Sequence, residues 1–281
     1  MPSATSIPIW LAAKKGYFHD EGIDVDLQIN RAIGMIADNV IGGHADVVYG
    51  GVSTMLVAFY KKAPIVSIAT VDYASEWDLL VRTDSPAQSI TDLKGKTVAV
   101  IAPNSTCVLS LRRELEARQL PPDYVKFLVL AASEHVAAFG ARRIDATCTF
   151  DPYRSQLVRQ FGARRIWSTS DRPVGSNVTG NLIVHKDFIV SYPKTVLALQ
   201  RAIARANRYA NANPEEVYSL LAEVLKQDLS EARDLQLPKY ADPPSRNADI
   251  VEIAIALQNY GFVSGPIDVT SFDRSVDVTW R

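Results

Sequence analysis

The chain has 281 residues, of which 47% are hydrophobic and 22% are charged, and its formal net charge is -1 at pH 7. This composition is typical of an ordinary globular protein and excludes disordered and fibrous chains. The near-neutral charge argues against a nucleic-acid-binding surface, because a protein that neutralises many phosphates is usually strongly basic. The length allows two domains, each large enough to bury its own core.

The sequence shows no sign of a metal-binding, nucleotide-binding or membrane-spanning protein. Cys107 and Cys148 form neither a disulfide framework nor a metal-binding motif such as C-x-x-C, and they do not fix the cellular compartment. The four histidines lack metal-binding spacings such as H-x-x-x-H, and no phosphate-binding or dinucleotide-binding glycine motif occurs. No apolar run reaches the roughly 18 to 20 residues that cross a bilayer, and no export signal is visible. We therefore expect no metal, no cofactor and no membrane span.

Helix and strand patterns alternate over the first two thirds of the chain. Glycines end the predicted helices, and apolar residues alternate with polar ones in the predicted strands. This alternation predicts α/β units on a largely parallel sheet. The predicted helices cover residues 7–15, 32–41, 53–60, 106–118 and a segment from 152, and the predicted strands cover 23–29, 45–49, 65–71, 77–82, 97–101, 125–130, 145–150 and 165–168.

The last third of the chain is predicted to be mostly helical. Pro193 lies near one helix start, where its missing N–H is tolerated. Asn213-Pro214 marks another start, since an Asn cap and a first-turn proline both suit free helix N–H groups.

Three segments carry candidate ligand-binding residues. In open α/β sheets, ligands collect beyond the carboxyl ends of the strands, where helix N-termini present free N–H groups. Each polar side chain in these segments has an alternative role as a simple helix cap, and that alternative stays open. The candidates are Gly51, Ser53 and Thr54 in the first segment, Asn104, Ser105 and Thr106 in the second, and Asp151 in the third.

Aromatic and thiol side chains supply the remaining candidates. Tyr73 and Trp77 lie near the predicted passage between domains, where an aromatic wall would contact an organic ligand, although either ring would equally fill a core. Cys107 lies in the first turn of a predicted helix, a position that lowers a thiol pKa and favours a nucleophile. A buried, unreactive thiol is the alternative for Cys107, and Cys148 is expected in the core.

A series of short motifs runs along nearly the whole chain. It begins with the stretch over residues 7–25, which contains Trp10 and Gly16-Tyr17-Phe18. The later motifs are Gly43-His44-Ala45-Asp46, Asp92-Leu93-Lys94-Gly95-Lys96, Asp151-Pro152-Tyr153, Asn181-Leu182-Ile183-Val184 and Asp187-Phe188. The order and spacing of these motifs are more specific than any one of them, and together they resemble the sulfonate, taurine, nitrate and thiamine-precursor binding proteins of ABC importers.

The resemblance implies a type II periplasmic-binding-protein fold, with two α/β lobes joined by two crossovers and a helical C-terminal part. Lobe 1 would comprise residues 1–77 and 179–281, and lobe 2 would be inserted as residues 78–178. By position, the ligand would contact the three candidate segments together with Trp10, Trp77 and Thr179.

The implied function is that of a solute-binding subunit that captures a small organic ligand in an interlobe cleft by lobe closure. Sulfonates, taurine, nitrate and pyrimidine-like molecules are the ligand classes of such proteins. The implied partner is a membrane permease, and the implied protein is a monomer without catalytic residues, in the periplasm or lipid-anchored at the cell surface. The alternative is an enzyme on the same fold, similar to a desulfinase or a pyrimidine synthase, with Cys107 as nucleophile.

The start of the chain departs from the family. Members begin with a short strand before the helix that contains Pro8 and, when secreted, with an export signal, and neither is seen in this sequence. A truncated gene or a mature form would account for both differences, so we expect the working protein to be longer.

Overall fold

The computed structural model describes residues 2–29 and 36–275, and the chain divides into two compact units. Unit 1 combines Met1–Ser75 with Val178–Arg281, and unit 2 is Glu76–Asn177. The chain therefore passes from unit 1 to unit 2 after Ser75 and returns after Asn177. Each unit has its own sheet and its own core.

Short helices open unit 1. Pro8 lies in the first turn of α1 (Ile7–Lys14), where a missing N–H costs no hydrogen bond, and Gly16 takes a left-handed φ of 73° that separates α1 from the next helix. The further elements before unit 2 are α2 (Tyr17–Asp20), α3 (Ile36–Ile41), β1 (Val47–Gly51), α4 (Val52–Tyr60), β2 (Ile65–Thr70) and β3 (Asp72–Tyr73).

The strand predicted over residues 23–29 is wrong. This segment forms neither helix nor strand and pairs with no strand among the described residues, and its apolar side chains Val25 and Ile29 are 38% and 50% exposed. Alternation of apolar and polar residues indicates only that a segment has two unlike faces. A strand also needs a neighbouring strand for its backbone hydrogen bonds, and the local sequence does not show whether one is present. Of the helix predicted over 32–41, residues 32–35 lie outside the described part of the chain.

Unit 2 contains a five-stranded sheet in the order β6-β5-β7-β4-β8. β5 runs parallel to β6 and β7, whereas β4 runs antiparallel to both β7 and β8. The α/β prediction is confirmed, but the sheet is mixed and not largely parallel. The elements are β4 (Asp78–Val81), β5 (Thr97–Val100), α5 (Thr106–Ala117), β6 (Lys126–Val129), α6 (Ala132–Gly140), β7 (Ala146–Thr149), α7 (Tyr153–Phe161) and β8 (Arg164–Ser168).

Apolar side chains from the sheet and its helices form the core of unit 2. Leu80 on β4 and Ala99 on β5 are fully buried beside Phe139 of α6 and Leu157 of α7. Burial of a side chain the size of leucine or phenylalanine contributes about 1.5 to 3 kcal/mol. This packing fixes the strand ends from which the polar loops of unit 2 emerge.

The returning chain completes unit 1. Its first strand, β9, inserts between β1 and β2 and is antiparallel to both, which gives a three-stranded sheet in the order β1-β9-β2. β3 pairs separately with β10. The elements of this part are β9 (Gly180–His185), α8 (Lys186–Ser191), α9 (Pro193–Ala212), α10 (Pro214–Leu225), α11 (Leu229–Arg233), β10 (Lys239–Tyr240), α12 (Asn247–Asn259) and α13 (Val269–Phe272).

The long helix α9 covers the sheet of unit 1. Leu199 and Ile203 pack with Ile68 of β2 and Val184 of β9 in one buried cluster. Gln200, buried in the same face, donates from Nε2 to the carbonyl oxygen of Ile68 at 2.7 Å, which satisfies a backbone acceptor inside the core. Across residues 2–29 and 36–275, no helix combines the length and the apolar character needed to span a membrane.

Candidate ligand-binding site

Strand register gathers polar side chains at one end of the unit 2 sheet. Because β4 is antiparallel to β7, the first residue of β4, Asp78, lies opposite the last residue of β7, Thr149. Trp77 precedes β4, and its ring packs against the ring of Phe150 with 4.5 Å between centroids. β5 is parallel to β7, so its carboxyl end points to the same end of the sheet and leads into Ser105.

Hydrogen-bonding groups at this end are buried without a hydrogen-bond partner among the described residues. Three of them can donate, namely Trp77 Nε1, Ser105 Oγ and Thr149 Oγ1, on residues that are 2%, 4% and 0% exposed, whereas Asp78 Oδ1 is an acceptor. A buried polar group without a partner costs about 1 to 3 kcal/mol, so such groups mark places where a ligand supplies the missing bond. We call Trp77, Ser105 and Thr149 the polar end of unit 2.

Ser105 precedes α5 but its side chain does not cap the helix. It occupies the N-cap position with extended backbone angles, yet its Oγ accepts no hydrogen bond from the first turn. The helix N–H groups carry partial positive charge, and Asn104 and Thr106 are buried on either side of Ser105. The cap alternative is therefore excluded for Ser105, and the helix start remains able to attract an anion.

Asp151 is held by its own helix. Its Oδ1 accepts from Ser155 N at 3.0 Å and from Ser155 Oγ at 2.7 Å, and its Oδ2 accepts from Arg154 Nε at 3.0 Å. These bonds fix the start of α7. Of the two roles left open by the sequence, the geometry favours the helix cap.

Replacing Asp151 with alanine is expected to lower the free energy of unfolding by about 1 kcal/mol, because the amide of Ser155 loses its acceptor. Chemical denaturation measures this loss. Asp151→Asn is the control, since its amide oxygen can still accept from Ser155. A fall in ligand affinity without a change in stability would instead assign Asp151 to the ligand.

A second buried carboxylate borders the polar end. The Oδ2 of Asp78 lies 4.0 Å from Arg154 Nη1, and its Oδ1 lies 3.7 Å from Arg165 Nη1. Burial raises the pKa of Asp78, and the two arginines oppose that rise. The arginines thus offset the negative charge near Trp77 and Thr149.

Five of the predicted ligand-binding residues belong to unit 1, and four of them lie close together. Val52 N, at the start of α4, donates to the carbonyl oxygen of Thr179 at 3.0 Å. A Cβ on Gly51 would lie 3.9 Å from that oxygen and 4.0 Å from Thr54 Oγ1, and Ser53 is buried in the same helix turn. Gly51, Ser53, Thr54 and Thr179 therefore form one small cluster at the end of β1.

Trp10 lies elsewhere in unit 1. It lines a cavity of about 700 Å³ bounded by α1, residues 23–29, β1, α8 and α9. None of the four clustered residues lines this cavity. The structure thus separates Trp10 from the other predicted ligand contacts of unit 1.

A buried carboxylate, Asp72, lies next to this cluster and was not among the predicted site residues. Its Oδ1 accepts from Tyr49 Oη at 3.0 Å and from Gly180 N at 3.1 Å, and its other oxygen accepts from Ser75 Oγ. Burial raises the pKa of Asp72 to about 7, against the opposing effect of these hydrogen bonds. Asp72 is the first residue of the two-residue strand β3, and such a short strand carries no sequence signal that would have identified this aspartate.

The two cysteines form a disulfide bond, and both are fully buried. The bond joins the first turn of α5 to β7. The prediction that the cysteines form no disulfide is wrong, because residues 41 positions apart are brought together by the parallel pairing of β5 and β7. While the disulfide is intact, Cys107 has no free thiol to act as a nucleophile.

The fold of the chain recurs in solved binding proteins. The alkanesulfonate-binding protein SsuA from Xanthomonas axonopodis pv. citri, solved with bound MOPS, matches 96% of this chain and 95% of its own, with a TM-score of 0.82 at 17% identity. The periplasmic nitrate-binding protein NrtA from Synechocystis PCC 6803 matches 98% and 84%, with a TM-score of 0.81 at 16% identity. The chain thus has the type II periplasmic-binding-protein fold.

Sequence comparison gives the family. Residues 3–217 match the family described as NMT1/THI5 like, and the chain belongs to it. A protein of Brucella abortus (strain 2308), BAB2_1146, which is named as a binding protein, is 26% identical over 220 residues, or 78% of this chain and 67% of that protein. The resemblance found in the motifs is confirmed. The fold also occurs in the desulfurization enzyme DszB, which matches 97% of this chain with a TM-score of 0.69 at 17% identity.

Proposed function

We propose that this protein is the solute-binding subunit of an ABC importer and that it binds a small organic oxyanion, with a sulfonate as the first candidate. The polar end of unit 2 carries this proposal. An indole N–H can only donate a hydrogen bond, and the hydroxyls of Ser105 and Thr149 can donate as well. Oxyanions only accept, and the adjacent N-terminus of α5 favours negative charge.

The relatives support this choice of ligand. SsuA is an alkanesulfonate-binding protein and NrtA is a nitrate-binding protein, and both ligands are anions with several acceptor oxygens. The ring pair of Trp77 and Phe150 would contact an organic substituent next to the anionic group. Taurine is itself a sulfonate and belongs to the proposed ligand class, whereas a pyrimidine-like ligand is the alternative that the binding test distinguishes.

The Cys107–Cys148 disulfide supports a cellular compartment for the protein and argues against an enzyme that uses Cys107 as its nucleophile. Disulfides persist in oxidising compartments, so we place the protein outside the cytoplasm, either in the periplasm or anchored at the cell surface. A permease in the adjoining membrane is the proposed partner. The thiolate mechanism proposed for Cys107 loses its nucleophile while this bond is intact.

Isothermal titration calorimetry of the purified protein tests the proposal. The probes are MOPS, ethanesulfonate, taurine, nitrate and an aminopyrimidine. We expect at least one sulfonate to bind in a saturable way. Absence of binding for every oxyanion probe, with a folded protein, would overturn the proposal, even if the aminopyrimidine binds.

Ser105→Ala is expected to weaken sulfonate binding by about 10-fold to 100-fold, since a hydrogen bond to a charged group contributes about 1.5 to 3 kcal/mol. Ser110→Ala is the matched control. Ser110 lies in the same helix and its Oγ is also buried without a partner among the described residues, but it is one turn further from the helix start. Equal losses in both variants would contradict a direct role for Ser105.

Capture of the ligand by closure of two lobes stays a prediction. A ligand that binds one conformation better shifts the population toward it. Small-angle X-ray scattering with and without a saturating probe measures this shift as a decrease in the radius of gyration.

A further inference from the structure

The Cys107–Cys148 disulfide joins two segments of unit 2 at the point where each turns toward the polar end. Cys107 is the second residue of α5, and Cys148 is the next-to-last residue of β7. Both side chains are fully buried. The bond is therefore internal to unit 2 and fixes the start of a helix to a central strand.

The two unpartnered hydroxyls flank this bond. Ser105 lies two residues before Cys107, and Thr149 follows Cys148 directly. Neither hydroxyl is held by a hydrogen bond within the described residues. Their positions thus depend on the backbone to which they are attached.

We propose that the disulfide is a positioning device for the ligand-binding site: it holds the backbone at Ser105 and Thr149 so that both hydroxyls face the ligand before it binds. The proposal rests on the proposed function. Preorganised groups bind more tightly because less conformational freedom is lost on binding. Cys107 and Cys148 are positioning residues, since neither needs to touch the ligand.

Reduction gives a direct way to remove the restraint. A dithiol transfers two electrons and two protons to the disulfide, which yields two cysteine thiols and the oxidised cyclic disulfide of the reagent. Cys107→Ala/Cys148→Ala removes the bond without a reductant. The two routes together separate loss of the bond from loss of side-chain volume.

Hydrogen–deuterium exchange tests the positioning without any ligand. In the reduced protein and in the double variant, we expect amides of residues 105–109 and 147–150 to exchange at least 10-fold faster, with α6 and β8 changed less than 3-fold. Uniform acceleration across unit 2 would overturn the proposal, because it would show a general stabilising bond. Two free thiols in the untreated protein, counted by mass spectrometry after alkylation, would also overturn it.

Affinity for MOPS, measured by calorimetry, provides the second test. The reduced protein and the double variant are expected to bind about 10-fold more weakly than the oxidised protein. The matched control is Phe139→Leu, which removes volume from the core of unit 2 and leaves the disulfide in place. An equal loss of affinity in this control, at a similar loss of melting temperature, would overturn the positioning role.

The two proposals can fail separately. If the oxidised protein binds none of the oxyanion probes, the proposed function fails, whereas local acceleration of exchange at residues 105–109 and 147–150 still decides whether the bond positions these segments. If MOPS binds equally well with and without the bond, the positioning proposal fails and the proposed function stands.

Discussion

Replacement of Gly180 with alanine is expected to destabilise unit 1 by about 3 to 5 kcal/mol. A Cβ at Gly180 would lie 2.1 to 2.2 Å from the ring and hydroxyl atoms of Tyr49, so the ring would have to move. Overpacking of this kind costs about 1 to 3 kcal/mol. Displacing the ring also breaks the bond from Tyr49 Oη to Asp72, and a buried polar group left without its partner costs about 1 to 3 kcal/mol.

Equilibrium denaturation in urea measures the effect, with Gly51→Ala as the control. Gly51 faces Gly180 in the strand register, but a Cβ there would meet its nearest atom at 3.9 Å, which is an ordinary contact. We expect that variant to change stability by less than about 1 kcal/mol.

A double-mutant cycle with Tyr49→Ala isolates the steric cause. Once the ring is gone, the added methyl at residue 180 should cost much less than in the wild-type background. An undiminished cost in the Tyr49→Ala background would contradict the clash, and so would a Gly180→Ala protein of wild-type stability.

Sequence patterns predict the helices and most strands because each such element depends on its own residues. The helix starts at Pro193 and Pro214 illustrate this, since proline tolerates only the first turn. Strand direction depends on residues far away in the chain. β4 and β9 follow the two passages between the units, and each lies antiparallel to its neighbours, which no local pattern encodes.

The candidate site shows the same division between local and distant causes. Ser105 could be found because a polar residue between a strand and a helix is a recognisable local signal. The roles of Thr149 and Trp77 depend on register, which places one strand's end beside another's beginning. The pairing of Cys107 with Cys148 also depends on β5 and β7 being neighbours in the sheet. Two cysteines in a chain of this length do not by themselves predict a disulfide.

The Asp72 carboxylate is expected to make the stability of the protein fall as pH rises from 5 to 8. Burial raises its pKa to about 7 in the folded protein, compared with about 3.9 in an unfolded chain. Between these values the folded state binds a proton that the unfolded state has released, so the contribution is largest at low pH and is lost as pH rises through 7. The expected loss from Asp72 alone between pH 5 and 8 is about 2 to 3 kcal/mol.

The surroundings of Asp72 explain why burial dominates. Tyr49 of β1 and Tyr240 of β10 are the titratable groups that face it, and burial raises the pKa of both phenols well above the ordinary value, so both stay neutral across this range. Ser75, Thr179 and the amide of Gly180 supply neutral donors. Among the ion pairs of the described residues, none involves Asp72, so no cation offsets its charge.

Asp72→Asn tests this account because it removes the titration and keeps an oxygen for Tyr49 and Gly180. The difference in unfolding free energy between variant and wild type should grow in favour of the variant by about 2 to 3 kcal/mol from pH 5 to pH 8. Asp92→Asn is the control: backbone amides of Gln88 and Ser89 lower the pKa of that exposed carboxylate, so its contribution is lost only at acidic pH. If the difference in unfolding free energy between Asp72→Asn and wild type stays constant over the same range, Asp72 is ionised throughout. The hydrogen bonds from Ser75, Thr179 and Gly180 would then have to stabilise a full buried charge.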